Sequence, residues 1–323
     1  MTSIRTNTAA LAALQSLSQT NKTMESTQNR ISTGYKVASA SDNAAYWSIA
    51  TTMRSDNGAL STVNDALNLG ASTADVAYTG MNSAIDLTNS IKQKLVAARS
   101  PGVDRTKVQS EISQLQNQLK SVADSASFSG QNLLSVDSSA ASYNGTRSIV
   151  SSFTRDSTGA VTVGTIAINV DTSGTTVGTK LYDASAAAAA DQKGILASKR
   201  DATTGALAAA GTFDIATLDI SALTDSTADL TTLDGYIKGA DAAVNEMTSA
   251  ASNLGAEKSR ISTQQSFVSN LMQAIDKGVG SLVDADMNEE STKLQALQVQ
   301  SQLGIQSLSI ANQAAQSIMK LFQ

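Results

Sequence analysis

The stretch Leu60–Leu95, LSTVNDALNLGASTADVAYTGMNSAIDLTNSIKQKL, carries a seam at Leu60, Val63, Leu67, Gly70, Ala74, Ala77, Met81, Ala84, Thr88, Ile91 and Leu95. Steps of three and four alternate throughout, and only Gly70 and Thr88 are not apolar, so one face of a single helix stays turned towards a partner. At about 1.5 Å per residue such a helix would run roughly 50 Å. That length suits a rod better than the interior of a compact domain.

Working outward, Ser100-Pro101-Gly102 breaks the pattern, and a second seam follows at Val108, Ile112, Leu115, Leu119, Val122 and Ala126. Pro and Gly disfavour helix continuation, so the two helices are expected to fold back as an antiparallel hairpin. A third seam, Ala240, Val244, Met247, Ala251, Leu254, Lys258, Ile261, Gln265, Val268, Met272, Ile275 and Val279, matches the first in length and should return along it. Its two polar members, Lys258 and Gln265, have two readings: the solvent edge of a rotating stripe, or residues that specify register.

The chain ends read differently. Near the N-terminus Ala10, Leu17, Met24 and Ile31 recur every seven residues, but the second seam position, Leu14, turns polar at Asn21 and Gln28. Near the C-terminus Leu294, Leu297, Ser301, Gly304, Leu308, Ala311, Ala315, Ile318 and Phe322 form one stripe, while Ala296, Val299, Leu303, Ile310, Ala314 and Leu321 form another. A terminal helix with two apolar stripes cannot bury both on its own domain. A membrane would want basic residues on the polar face, and only Lys293 and Lys320 follow Glu290, so protein neighbours are expected instead.

Between about Val136 and Gly235 the helical period gives way to short alternating runs at 161–163, 166–170, 213–215 and 218–220, separated by Gly, Ser and Thr turns. These predict strands, with a short helix at Ala186–Ala190. The fold class expected is therefore mainly α: a long antiparallel helical rod built from both chain ends, carrying a small α+β insert.

Composition narrows the chemistry. Among 323 residues there is no His, no Cys and one Pro, and aromatic residues make up 4%. Zinc, copper and haem sites of the usual kind lose their ligands, and His-activated nucleophiles lose their base. No metal, cofactor or catalytic residue is expected, and the phosphate-cradling Gly-rich motifs are missing. The 23 basic residues are scattered against 28 acidic ones, which gives a net charge of -5 and no footprint for nucleic acid. The apolar run Ala9–Leu14 is shorter than a secretory signal core, and no segment approaches the roughly 20 apolar residues that span a bilayer. Two helix starts stand out. Asp42 or Asn43 is placed to cap the helix opening at Tyr46-Trp47, and Asp286, with Glu289 three residues on, is placed to cap the last helix.

These same ends resemble the bacterial flagellins. Asn29 to Ala50, with Ile31-Ser-Thr-Gly34 and Asp42-Asn-Ala-Ala45, is similar to that family's N-terminal signature. Phe128-Ser-Gly-Gln-Asn-Leu-Leu134 resembles the close of its N-terminal helical core, and Val283 to Gln323 its C-terminal segment. The resemblance covers about residues 1–135 and 236–323, and the details point to the plant-associated alphaproteobacterial branch. Lys92-Gln93-Lys94-Leu95 departs from the cluster read by the animal flagellin receptor, and Tyr46 and Trp47 replace small residues of the peptide read by plant receptors.

The resemblance implies an extracellular structural subunit that polymerises into the helical filament used for swimming. It leaves through the flagellar export apparatus with the help of a chaperone, and meets hook-associated and cap proteins or other flagellins. It also implies five segments: 1–43, an inner-tube helix and linker; 44–135, the first part of the rod; 136–235, the outer insert; 236–283, the second part of the rod; and 284–323, the second inner-tube helix. Subunit packing then falls to Leu11, Leu14, Leu17, Met24, Ile31, Leu294, Leu297, Leu303, Leu308, Ile310, Ile318 and Leu321. The rod core falls to Leu60, Val63, Leu67, Ile91, Ile112, Leu115, Leu119, Val244, Leu254, Ile261, Val268 and Ile275, with Asp42 and Asp286 as helix caps. Two rival functions remain open: a hook–filament junction protein, and a surface adhesin whose insert binds a ligand.

Overall fold

The computed structural model describes residues 7–141, 143–172, 177–185 and 193–321, with side chains of the last helix through 313. The expected helix at Ala186–Ala190 lies outside the described residues. The chain divides into two compact units, Ala59–Asn270 and the pair Met1–Gly58 with Leu271–Gln323.

In the unit Ala59–Asn270 the backbone of the fold is α2 (Ala44–Ala98), and every one of its eleven seam residues from Leu60 to Leu95 is buried. Gly102, at φ 78°, makes the left-handed turn after Pro101, and Asp104 then caps α3 (Arg105–Ser125) by accepting from the amides of Thr106 and Lys107. The hairpin of α2 and α3 is antiparallel: Lys94 pairs with Glu111, and Arg105 donates to the carbonyl of Ala98 at 3.2 Å. Ile112 and Leu119 are buried and Leu115 is partly so.

The third seam lies on α4 (Thr227–Val283). There Leu254, Ile261 and Val268 are buried, while Val244 and Ile275 are partly exposed. Within this unit, polar pairs tie α4 to α2 and to Arg99 just beyond it: Arg99 with Asp234, Lys92 with Asp241, Asp75 with Lys258, and Asn68 with Gln265. Steps of seven, seventeen and seven along α2 are matched by the same steps along α4, which describes one antiparallel register. The charge order reverses between the second and third pairs, so a register slid by those seventeen residues would set like charges opposite each other, Lys92 against Lys258 or Asp75 against Asp241. Lys258 and Gln265 thus lie at the edge of the seam and also pair across it.

Helix α4 begins at Thr227, nine residues before the boundary at 236 read from the sequence. The signal lies in Ser226-Thr-Ala-Asp229: the Ser226 hydroxyl accepts from the Asp229 amide at 3.2 Å, and the Asp229 carboxylate accepts from the Thr224 amide at 2.8 Å.

After α3 come β1 (Ser127–Phe128) and β2 (Gln131–Asn132), a hairpin whose turn residues Ser129 and Gly130 both have positive φ, as a type I′ turn demands. Next, β3 (Ser135–Val136) pairs in parallel with β6 (Tyr182–Asp183), and β4 (Thr146–Arg155) pairs antiparallel with β5 (Val161–Asn169). The runs 161–163 and 166–170 are therefore mostly one strand. The base of the β4–β5 hairpin sits on α2, where a Cβ at Gly70 would come within 2.6 Å of Ile149. On α4, a Cβ at Gly235 would strike the carbonyl of Ala202, so glycine lets that loop cross the helix.

The expected strands at 213–215 and 218–220 do not form. Phe213 makes one bridge to Arg200, and the rest is turn or irregular chain. The side chains still fill the core, but the backbone groups find other partners. Ile215 donates to the carbonyl of Leu196 at 3.0 Å. Gln116 donates to the carbonyls of Ile215 and Leu218, both at 3.1 Å, and Gln109 donates to Leu218 and accepts from Ile220. Two glutamines seven apart on one face of α3 take the place of a neighbouring strand.

The other unit contains α1 (Thr8–Thr33) and α5 (Met287–Leu321), with the adjoining ends of α2 and α4. A small apolar cluster of Val37, Ala50, Val279 and Val283 holds those ends, with Met53, Ile275 and Leu282 packed against it.

Candidate assembly surface

Helices α1 and α5 form an antiparallel pair. Asn7 donates to the carbonyl of Ala311 at 2.9 Å, the hydroxyl of Ser301 reaches Asn21 at 3.4 Å, and Arg30 pairs with Glu290 at 3.1 Å. Both helices stop at one level. Gly34 closes α1 in the left-handed conformation, at φ 77°, and its amide donates to Arg30. Lys36 and Val37 then donate to the carbonyl of Val283, and Ala285 donates to the carbonyl of Gly34, so the two joints are stitched by main-chain hydrogen bonds.

The α5 side of this pair separates its two stripes. Leu297 is buried, and Leu294, Ser301, Gly304, Leu308 and Ala311 are partly buried; Ala296, Val299, Leu303 and Ile310 are exposed. Gly304 lets α1 approach, since a Cβ there would already touch Leu17 at 3.3 Å. The side chains of Ile318 and Leu321 lie outside the described residues.

The face of α1 differs from the sequence reading by one position. The residues turned inward are Ala10, Ala13, Leu17, Thr20, Met24, Thr27 and Ile31, with Thr20 and Thr27 the most buried. The second seam position is therefore Ala13–Thr20–Thr27 and not Leu14–Asn21–Gln28, all three of which are exposed. Threonine suits a buried helix face because its methyl packs while its hydroxyl bonds one turn back, as Thr20 does to the carbonyl of Ser16 at 2.9 Å.

The outward face is what remains. Leu11, Leu14, Val299, Leu303, Ile305 and Ile310 are between 56% and 67% exposed. A second apolar set lies at the start of α2 in the same unit, where Tyr46, Trp47 and Ile49 are exposed. Monomeric proteins seldom carry large leucines and isoleucines this bare along paired helices, so the face has the character of an interface. Ile305 was missed by stripe reading because it flanks the buried side of α5 and belongs to neither apolar stripe.

The caps can be assigned from hydrogen bonds. Asp286 accepts from the amides of Asn288 at 2.9 Å and Glu289 at 3.3 Å, which places it at the N-terminus of α5. Asp42 does not cap α2: its carboxylate accepts from the amides of Ala38 and Ser39 and the Ser39 hydroxyl, closing the turn before the helix. Those bonds, the Ser39 amide first, hold its carboxyl below the ordinary range. The cap of α2 is Asn43, which accepts from Ala45 and Tyr46, both at 3.1 Å. Asp42 comes one residue too early to reach those amides once the Ser39–Asp42 turn has formed.

Among the described residues no group of three acidic, His or Cys side chains is placed to hold a metal, and no helix is long and apolar enough to cross a membrane.

Comparison with known proteins gives this surface its context. The model of the bacterial flagellin N-terminal helical region matches residues 4–139, and that of the C-terminal helical region matches residues 237–322. Flagellin C of Rhizobium meliloti strain 1021 is 51% identical, and Flagellin A of that strain 43% identical, each with all of both chains covered. The flagellin of Brucella melitensis biotype 1 is 41% identical, again over the whole of both. Between them the two family models leave a gap at residues 140–236, which hold most of the insert, and the matched regions contain both α1 and α5. Helical ends that match over their full length, and relatives this similar from end to end, lead to one assignment: the chain belongs to the bacterial flagellins, the structural proteins of the extracellular flagellar filament, and resembles those of plant-associated alphaproteobacteria.

Proposed function

We propose that this subunit assembles with copies of itself into a helical filament that drives swimming, and that the outward face of α1 and α5 is the contact that does so. The observation that carries this reading is the bare apolar row Leu11, Leu14, Val299, Leu303 and Ile310, on helices whose inner faces are already matched to each other. A contact between two different patches, repeated by an operator that does not close, gives an open fibre. Leu17, Met24, Ile31, Leu294, Leu297 and Leu308 would hold the helix pair together, and the exposed row would meet the neighbours. The five segments drawn from the sequence follow the same logic, with the seams of α2, α3 and α4 as the rod.

Several partners fit this reading. Rhizobium meliloti strain 1021 has proteins named Flagellin A, B, C and D, all at least 41% identical to this chain, which supports mixing of related subunits in one filament. Before assembly the apolar row needs cover, which suits an export chaperone on the C-terminal helix; hook-associated and cap proteins would meet the ends of the polymer. Negative-stain microscopy of the purified protein, whole and without residues 1–40 and 285–323, tests the proposal. Long uniform filaments from the whole chain and none from the trimmed one are expected, and short rings or trimmed filaments would overturn it.

A further inference from the structure

We infer that Asn144 is a site of spontaneous deamidation, a self-modification that needs only water and that converts the entrance of the β4–β5 hairpin to an acidic residue. The sequence has two Asn-Gly pairs, Asn57-Gly58 and Asn144-Gly145, and glycine, lacking a side chain, leaves its own amide nitrogen open to a neighbouring side chain. The fold treats the two pairs in opposite ways.

Asn57-Gly58 lies inside α2, where each amide is directed at the carbonyl one turn back and cannot turn towards the preceding side chain. The Asn57 side-chain amide is also held by Asp276. Asn144 is exposed and precedes the strand, outside any helix or ladder. Its Oδ1 accepts from the amide of Thr146 at 3.0 Å, which withdraws electrons from Cγ. The carboxylate of Asp171 lies against Gly145, so close that a Cβ there would strike it, and it puts a proton acceptor beside the attacking residue.

The step balances without any other reagent. The Gly145 nitrogen loses its proton and bonds to Cγ of Asn144; the Cγ–Nδ2 bond breaks, and ammonia leaves with that proton. Water then opens the cyclic imide at either carbonyl, giving aspartate or isoaspartate. Either product sets a new carboxylate near Asp171, which already pairs with Lys180 at 2.7 Å and accepts from the Tyr143 hydroxyl at 2.7 Å. Isoaspartate also lengthens the main chain just before Gly145, whose carbonyl accepts from the amides of Val170 and Asp171.

The test is to hold the full-length folded protein in mildly alkaline buffer made with heavy-oxygen water and to map peptides by mass spectrometry, with a urea-unfolded sample beside it. In the unfolded chain both pairs should convert. In the folded chain Asn144 should convert at least about tenfold faster than Asn57, whose glycine amide is freed only when the helix opens locally. Equal rates at the two sites in the folded chain, or an Asn144 that stays an amide when folded yet converts when unfolded, would overturn the inference.

Discussion

Removing the carboxylate of Glu246 should loosen the insert by stranding a buried cation. Arg200 is fully buried, and its guanidinium donates to Glu246 at 3.2 and 2.8 Å, to the carbonyl of Ile195 at 3.0 Å and to that of Gly205 at 3.3 Å. Two backbone carbonyls spread the charge, and among the described residues Glu246, on α4, is the carboxylate that neutralises it. Loss of one partner from a buried pair costs about 3–5 kcal/mol, and because Glu246 is a quarter exposed the lower end, about 3 kcal/mol, applies. For a unit of this size that corresponds to a fall in melting temperature of roughly 6–12 °C. Glu246→Ala should show this by calorimetry, together with faster hydrogen exchange at the amides of Arg200 and Thr212, which pair across the Arg200 bridge. Glu246→Gln, which keeps an acceptor, should fall between, and the double variant Arg200→Met with Glu246→Ala should recover part of the loss. A Glu246→Ala change below about 0.5 kcal/mol, the range of ordinary surface substitutions, would refute the reasoning.

Asp183 offers a pH test. Burial raises its pKa, but the amides of Ser138 and Ser185, the Ser138 hydroxyl and Lys180 outweigh that and hold the carboxyl at about 2, against 3.8 unperturbed. A depressed carboxyl contributes stability that is present above pH 3.8 and lost as the pH falls through about 2. The gain is about 2 kcal/mol, so the wild type should lose that much relative to Asp183→Asn between pH 5 and 2, and parallel stability profiles would count against the network. For the caps, Asn43→Ala should speed exchange at Ala45 and Tyr46 while Asp42→Ala leaves them protected. Asp286→Ala should destabilise the start of α5 by about 1 kcal/mol, read from the amides of Asn288 and Glu289, and equal effects at Asp42 and Asn43 would restore the sequence assignment. Lys258→Asp should cost less than about 1 kcal/mol because the pair is half exposed, and adding Asp75→Lys should restore it; no restoration would mean that this pair does not help set the register.

Much of the rod was legible because its seam is written in residues with one use. The run from Leu60 to Leu95 sets an apolar side chain at nine of eleven positions spaced by alternating steps of three and four, and all eleven positions are buried. The face of α1 was harder to read, since Thr20 and Thr27 count as polar in any apolar pattern yet pack inward, the hydroxyl of Thr20 bonding within the helix. The segment from Phe213 to Ile220 alternates like a strand because its side chains enter a core, but alternation says nothing of where the backbone bonds, and here Gln109 and Gln116 supply them from a distant helix. At Asp42 and Asn43 the sequence allowed either cap, and a three-bond turn around Asp42 decided the matter. The doubled stripe of α5 was readable in advance because two apolar periods on one helix leave no other account of the second.

The most direct measurement is seeded growth of filaments by the triple variant Val299→Ser, Leu303→Ser, Ile310→Ser. These side chains are exposed in the subunit, so its melting temperature and circular dichroism should stay close to wild type. Polymer growth, followed by light scattering from wild-type seeds, should fall to background. Growth at the wild-type rate, with the subunit fold intact, would contradict the claim that this outward face of α1 and α5 is what joins one flagellin to the next.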